Sequence, residues 1–208
     1  MKKSKILIPI IPELYQLTHN DFAPACVILG QAFREDPIWK EILKDDPEKF
    51  STLFGVPLKY TLKYGKVYGS SSKLEGIAAW MHSNYMNMNF FRSIRSGAFM
   101  SALKLGRKIG NLIGEVFDII VKDRESHMKG SYVYLYVIGV SPDHQNQGIG
   151  SKLINIMLDY LSPDLPVYLE TETERNVRFY ERLGFKVLKK ITVPALGLPM
   201  WEMLHDRK

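Results

Sequence analysis

The stretch that decides the fold is Val137-Ile138-Gly139-Val140-Ser141-Pro142-Asp143-His144-Gln145-Asn146-Gln147-Gly148-Ile149-Gly150-Ser151-Lys152-Leu153-Ile154. It reads as an apolar strand, a glycine loop and the first turns of a helix. Glycines let backbone N–H groups turn toward one point with no Cβ in the way. The following helix adds unpaired N–H groups and a partial positive charge. Together these make a seat for a pyrophosphate. Two other phosphate loops fail on spacing. There is no Gly-x-x-x-x-Gly-Lys-Ser/Thr run, and Leu153 stands where a dinucleotide fingerprint needs its third glycine.

Immediately upstream, Ser131 to Val140 is the clearest strand. Tyr132, Tyr134, Tyr136, Ile138 and Val140 are expected on one face, with Val133, Leu135 and Val137 on the other. Both faces are apolar or aromatic, so the strand should be central and covered on both sides. Gly139 near its end predicts a bulge or a close approach to the backbone. Downstream, the helix should run to about Leu161, followed by a strand over 166–171 and a helix over 175–183 with Gly184 as its terminating glycine. A closing hairpin is expected from 185–193 and 199–204.

The earlier half alternates in type, which favours a mixed α and β domain. A first strand is expected over 13–18, then a helix to Phe33 capped by Asn20 or Asp21. Pro37 allows a break before Ile38. A second helix spans 47–64, with Pro57 as a kink or boundary. A strand pair follows at 66–72 and 74–82. Residues 84–130 read as a helical insertion. Leu105, Ile109, Leu112, Ile113, Val116 and Ile120 mark its amphipathic helix, and Phe90, Phe91 and Ile94 a shorter one.

Gln145-x-x-Gly148-x-Gly150 after a hydrophobic strand resembles the acetyl-coenzyme A motif of the GNAT superfamily of N-acetyltransferases. The later run Asn176-Val177-Arg178-Phe179-Tyr180-Glu181-Arg182-Leu183-Gly184-Phe185 resembles that family's second motif, in the expected order. The resemblance is specific from Ser131 to about Leu204. It implies an α+β fold with a central, mixed, mostly antiparallel twisted sheet flanked by helices. It implies acetyl-CoA as cosubstrate, no metal, and acetyl transfer to a primary amine. The aromatic central strand with its insertion looks like the branch acting on small-molecule amines, puromycin-type enzymes among them.

Residue by residue, the resemblance implies that Ile138 and Val140 pair with the pantetheine arm, the Ile138 N–H polarising the thioester carbonyl. Gln145, Asn146, Gln147, Gly148, Gly150 and Ser151 would surround the pyrophosphate, and Asn176 would contact the pantetheine. Tyr180 would protonate the departing thiolate. Some members carry a Glu on the central strand as general base, where this chain has Tyr134. A tyrosine is a poor base near neutral pH. Glu170, ending the next strand, is the nearest alternative. The plain reading of Glu170, Glu172 and Glu174 is a charge cluster near a helix N-terminus. His127 and His144 have no spaced partner for a metal site or a triad.

The 208 residues are read as one domain, 1–208, in which 84–130 covers the acceptor site. With 46% hydrophobic and 24% charged residues the composition is globular, which excludes a disordered, collagen-like or coiled-coil chain. The lone Cys26 permits no internal disulfide or cysteine-based zinc cluster and fits a cytoplasmic setting. No stretch approaches a membrane span, and the lysine-rich start followed by Ile6 to Pro12 lacks a signal-peptide cleavage site. The net charge of +6 is local, with Arg92, Arg95, Lys104, Arg107 and Lys108 in an acid-free segment. Core spacing of the interleaved leucines speaks against nucleic acid there. Coenzyme A and a small amine are the expected partners, and a homodimer is compatible. A non-catalytic coenzyme A-binding regulator, a longer acyl donor and a protein amine remain open alternatives.

Overall fold

The computed structural model describes residues 8–44 and 46–207. The lysine-rich start lies outside the described residues. Seven strands form one sheet in the order β1-β2-β3-β4-β5-β7-β6. They are β1 (Tyr15–Gln16), β2 (Lys66–Gly69), β3 (Gly76–His82), β4 (Val133–Val140), β5 (Val167–Thr171), β6 (Lys186–Val193) and β7 (Leu198–His205). Every pairing is antiparallel except β4 with β5. The helices are α1 (Phe22–Ala32), α2 (Pro37–Leu43), α3 (Pro47–Tyr64), α4 (Phe90–Ser96), α5 (Ala98–Leu103), α6 (Arg107–His127), α7 (Ile149–Tyr160) and α8 (Glu174–Glu181). The predicted α+β class and its mostly antiparallel sheet are what the chain forms.

The sheet is covered on both faces. Leu153, Ile154 and Met157 of α7 and Val177 and Tyr180 of α8 pack with Val133, Leu135, Leu169 and Trp201 on one side. Helices α1, α2, α3 and α6 cover the other, where Leu29, Leu58, Val116 and Ile120 meet Ile77, Ala79 and Val137. Burying a large apolar side chain contributes roughly 1.5–3 kcal/mol, so these two layers supply most of the driving force for folding.

Several local expectations are corrected. Asp21 stands at the N-cap position of α1 but makes no cap bond. Its carboxylate instead accepts from the backbone and hydroxyl of Thr18, both at 2.8 Å, closing a capping box on the preceding 3-10 turn. The break expected at Pro37 lies just ahead of it, between α1 and α2, and Pro37 itself begins α2, where the Asp36 carboxylate accepts from the N–H groups of Ile38 and Trp39. Helix α3 runs through Pro57 as one segment. The insertion holds three helices, Gly97 at φ +77° dividing α4 from α5. Its Phe90 and Phe91 are exposed.

The alternation expected along β4 fails at one point. Ala79 of β3 opposes Val137 and Trp80 opposes Leu135, so Tyr136 is the extra residue of a bulge. Ahead of it Val133 and Leu135 face α7; beyond it Ile138 does. Val137 therefore lies on the opposite side from Leu135. Gly139 provides the predicted close approach, since a Cβ there would stand 2.8 Å from Leu29 and 3.0 Å from Ala32 of α1.

Candidate active site

The parallel strands β4 and β5 pair only at Val133 with Val167 and Tyr134 with Tyr168. Past those residues the strands part. The β5 side of β4 is left without a strand partner through Ile138 and Val140, and a cleft of about 830 Å³ opens there. That is ample for an extended cofactor arm.

The loop after β4 is shaped by two left-handed residues, Asn146 at φ +62° and Gly148 at φ +80°. Asparagine tolerates this conformation better than most residues, and glycine adopts it freely. Gln145 donates from Nε2 to the Val140 carbonyl at 3.2 Å, tying the loop to its own strand. Asn146 Oδ1 accepts from Arg175 at 3.1 Å, tying it to α8. Gly148 starts α7, and no side chain caps that helix. Its first N–H groups are thus without intrahelical partners, which together with the helix dipole favours an anion. Gly150 lets α7 lie against α8, because a Cβ there would meet Phe179 at 3.4 Å.

Of the predicted cofactor contacts, Ile138, Val140, Gln145, Asn146, Gly148, Gly150, Ser151 and Asn176 line the cleft, and Gln147 does not. The Gln147 amide is turned back onto the Asp143 carbonyl at 3.2 Å. Thr173 caps α8 by accepting from the Asn176 N–H at 3.2 Å, which sets that side chain at the cleft wall. Tyr180 also lines the cleft and is buried, wedged between Phe179 and Phe185 with ring centroids 5.1 and 5.7 Å away. Burial, with the nearby Glu172 carboxylate, pushes its phenol up, so it stays protonated. His144 is half-buried on the cleft wall.

Glu170 is placed elsewhere. Its side chain is only 5% exposed and lies outside the cleft lining. Arg124 of α6 donates to it at 3.4 Å and the Tyr134 hydroxyl at 2.5 Å. Burial raises this carboxyl against the opposing pull of Arg124 and Tyr134. Arg124 also stands 5.1 Å over the Tyr134 ring, so the cation–π position of that tyrosine is filled by the chain itself. Tyr132, Tyr134 and Tyr168 form a buried aromatic cluster around this pair.

Two carboxyls emerge that the sequence reading missed. Asp36, on the cleft wall, and Glu172, just beyond β5, approach closely enough to share a hydrogen bond. Burial pushes Asp36 up to about 6, despite the N–H groups of α2 that pull it down. Burial and the Asp36 charge hold Glu172 well above the usual carboxylate range. Two like charges so close cannot both ionise readily. The Asp36-Pro37 step was read as a break and Glu172 as solvated charge, and only the turn after β5 joins them.

His127 also has partners. Asp123, one turn earlier on α6, and Glu202 of β7 lie beside it, outside the cleft.

Residues 99–187 match the acetyltransferase (GNAT) domain family. An uncharacterized N-acetyltransferase of Schizosaccharomyces pombe is 27% identical over 181 residues, which is 80% of this chain and 71% of that protein. A crystal structure from Corynebacterium glutamicum, described as histone acetyltransferase HPA2 and related acetyltransferase, superposes with TM-score 0.63 at 23% identity. It covers 94% of this chain and 96% of its own. Arylalkylamine N-acetyltransferase 2 of Aedes aegypti gives 0.63 at 15% identity, over 94% and 98% of the two chains. The sheet is the GNAT fold. The anion seat at the parted strands lies within residues 99–187, the part of the chain that is similar to the GNAT acetyltransferase family. That family implies acetyl-CoA as cosubstrate. The uncapped α7 and the open space at Gly148, where a Cβ would meet nothing within 4 Å, fit its pyrophosphate. No helix among the described residues is long and apolar enough to cross a membrane.

Proposed function

We propose that the protein acetylates a primary amine of a small molecule by direct attack, with Tyr180 as general acid. The observation that carries this reading is that Tyr180 and the uncapped start of α7 line one cleft. Acetyl-CoA supplies the activated acyl group. Ile138 and Val140 offer their free strand edge to the pantetheine, and Asn176 flanks it. Gln145, Asn146, Gly148, Gly150 and Ser151 surround the pyrophosphate, with Arg175 and Arg182 adding positive charge. Gln147 braces the loop rather than touching the cofactor.

An ammonium has no lone pair, so a proton must leave before attack. Asp36 takes it with Glu172 behind it, because Asp36 lines the cleft and is the buried carboxyl there, whereas its neighbour Glu35 is exposed. Glu170 acts at one remove, holding Arg124 and the tyrosines in place. The Ile138 N–H stabilises charge on the acyl oxygen. Tyr180 then donates its proton to the departing sulfur. Residues 1–208 act as one domain, with 84–130 over the acceptor side.

Calorimetric titration with acetyl-CoA, followed by thiol release over an amine panel, tests this. Binding with turnover of a small amine is the expected result. Binding with turnover of protein lysines alone would overturn the substrate class. Failure of folded protein to bind acetyl-CoA would overturn the cleft assignment.

A further inference from the structure

Asp123 and His127 stand four residues apart on α6, so both side chains leave one face of its last turns. Glu202 projects from β7 toward them. His127 Nδ1 lies 3.1 Å from Glu202 Oε2. One ligand atom from each of the three side chains lies within 4.8 Å of the others.

The charges here are poorly satisfied. Glu202 is fully buried, and apart from the His127 contact its carboxylate oxygens have no hydrogen-bond partner. Asp123 Oδ2 is buried and unpaired as well. Lys189 donates to Asp123 Oδ1 at 2.6 Å, which offsets one negative charge of the two. A buried carboxylate without hydrogen bonds is costly unless a proton or a cation joins it.

We propose that Asp123, His127 and Glu202 bind one divalent transition-metal ion of the zinc class and so clamp the end of α6 to β7. One imidazole nitrogen and two carboxylate oxygens make a borderline donor set suited to zinc, cobalt or manganese. Calcium prefers six to eight oxygens, which this corner does not supply. His127 is 34% exposed, which gives the ion an entry path and a water a fourth position. The clamp has a structural purpose. Arg124, next to Asp123, holds Glu170 and Tyr134, so fixing the last turns of α6 fixes the support beneath the aromatic cluster.

The test uses full-length, untagged, chelator-treated protein, titrated calorimetrically with zinc chloride, with cobalt chloride and, for comparison, with calcium chloride. One equivalent of zinc or cobalt is expected to bind with a Kd of about 1 μM or tighter, releasing protons and raising the melting midpoint. Calcium should bind at least tenfold more weakly. His127→Gln and Asp123→Asn should each weaken zinc binding by tenfold or more and alter the cobalt absorption bands, while acetyl-CoA affinity stays unchanged. His127 is partly exposed, so its variant keeps the test informative if Glu202→Gln does not fold. Absence of saturable zinc and cobalt binding, or binding undiminished in both variants, would overturn the proposal.

Discussion

Asp36 at the start of α2 and Glu172 just past β5 stand as neighbouring carboxyls, and burial holds both above the usual carboxylate range. If this pair accepts the amine proton, kcat/KM should climb as pH rises through about 6 and then level. Asp36→Asn should lower kcat by about 10²–10⁴-fold. A pH–rate profile from 5 to 8 checks both, and a flat profile over 5 to 7 counts against the pair.

The same substitution has a second, opposite signature. The folded-state pKa of Asp36 is raised from 3.8 to about 6. Its contribution to stability is therefore full below about pH 4 and is lost as pH rises through 6. Asn keeps an oxygen for the N–H groups of Ile38 and Trp39. Asp36→Asn should thus gain in melting temperature relative to the parent between pH 4 and 7, even as activity falls. Parallel thermal melts across that range decide it.

Tyr180→Phe removes only a hydroxyl from a packed ring. It should lower kcat by about 10²–10⁴-fold and leave acetyl-CoA affinity within twofold. Equal loss of binding and rate would mean the hydroxyl holds the cofactor instead of donating a proton. Calorimetry beside steady-state kinetics separates these outcomes.

Gly148→Ala puts a Cβ on a residue at φ +80° with open space around it. The cost is backbone strain alone, about 1 kcal/mol or somewhat more. Acetyl-CoA binding should weaken about five- to tenfold with little change in kcat, read as a rise in Kd by titration.

Arg124 and Glu170 have side chains only 4% and 5% exposed. Arg124→Met leaves a buried carboxylate unpaired and should destabilise by about 3–5 kcal/mol. The double variant with Glu170→Gln should recover part of that loss. Chemical denaturation of the four proteins in a mutant cycle checks it, and additive losses would show that the two groups are not coupled.

Much of this was legible in the strand, loop and helix around Val140. The glycine spacing pointed to the loop that opens the uncapped α7, because backbone geometry there is local, and the second motif pointed to Tyr180, which lines the cleft. Gln147 looked equivalent to its neighbours in sequence, and only its hydrogen bond to the Asp143 carbonyl separates it. Asp36 and Glu172 were invisible as a pair because they sit far apart along the chain and meet through tertiary packing. His127 carried a faint signal, Asp123 one turn before it, but Glu202 comes from another element. The bulge at Tyr136 left no trace, since an apolar residue suits either face of a strand covered on both.

That one extra residue divides β4 into two separately adjustable halves. Before Tyr136 the strand sends its tyrosines into the aromatic cluster, and after it the strand lines the cleft. Substitutions in the first half should repack the aromatic cluster and leave the cleft-lining half in place. Deleting the bulged residue would reverse the orientation of one half against the other and ruin both tasks together. A single position thus separates the packing half of the strand from its cleft-lining half.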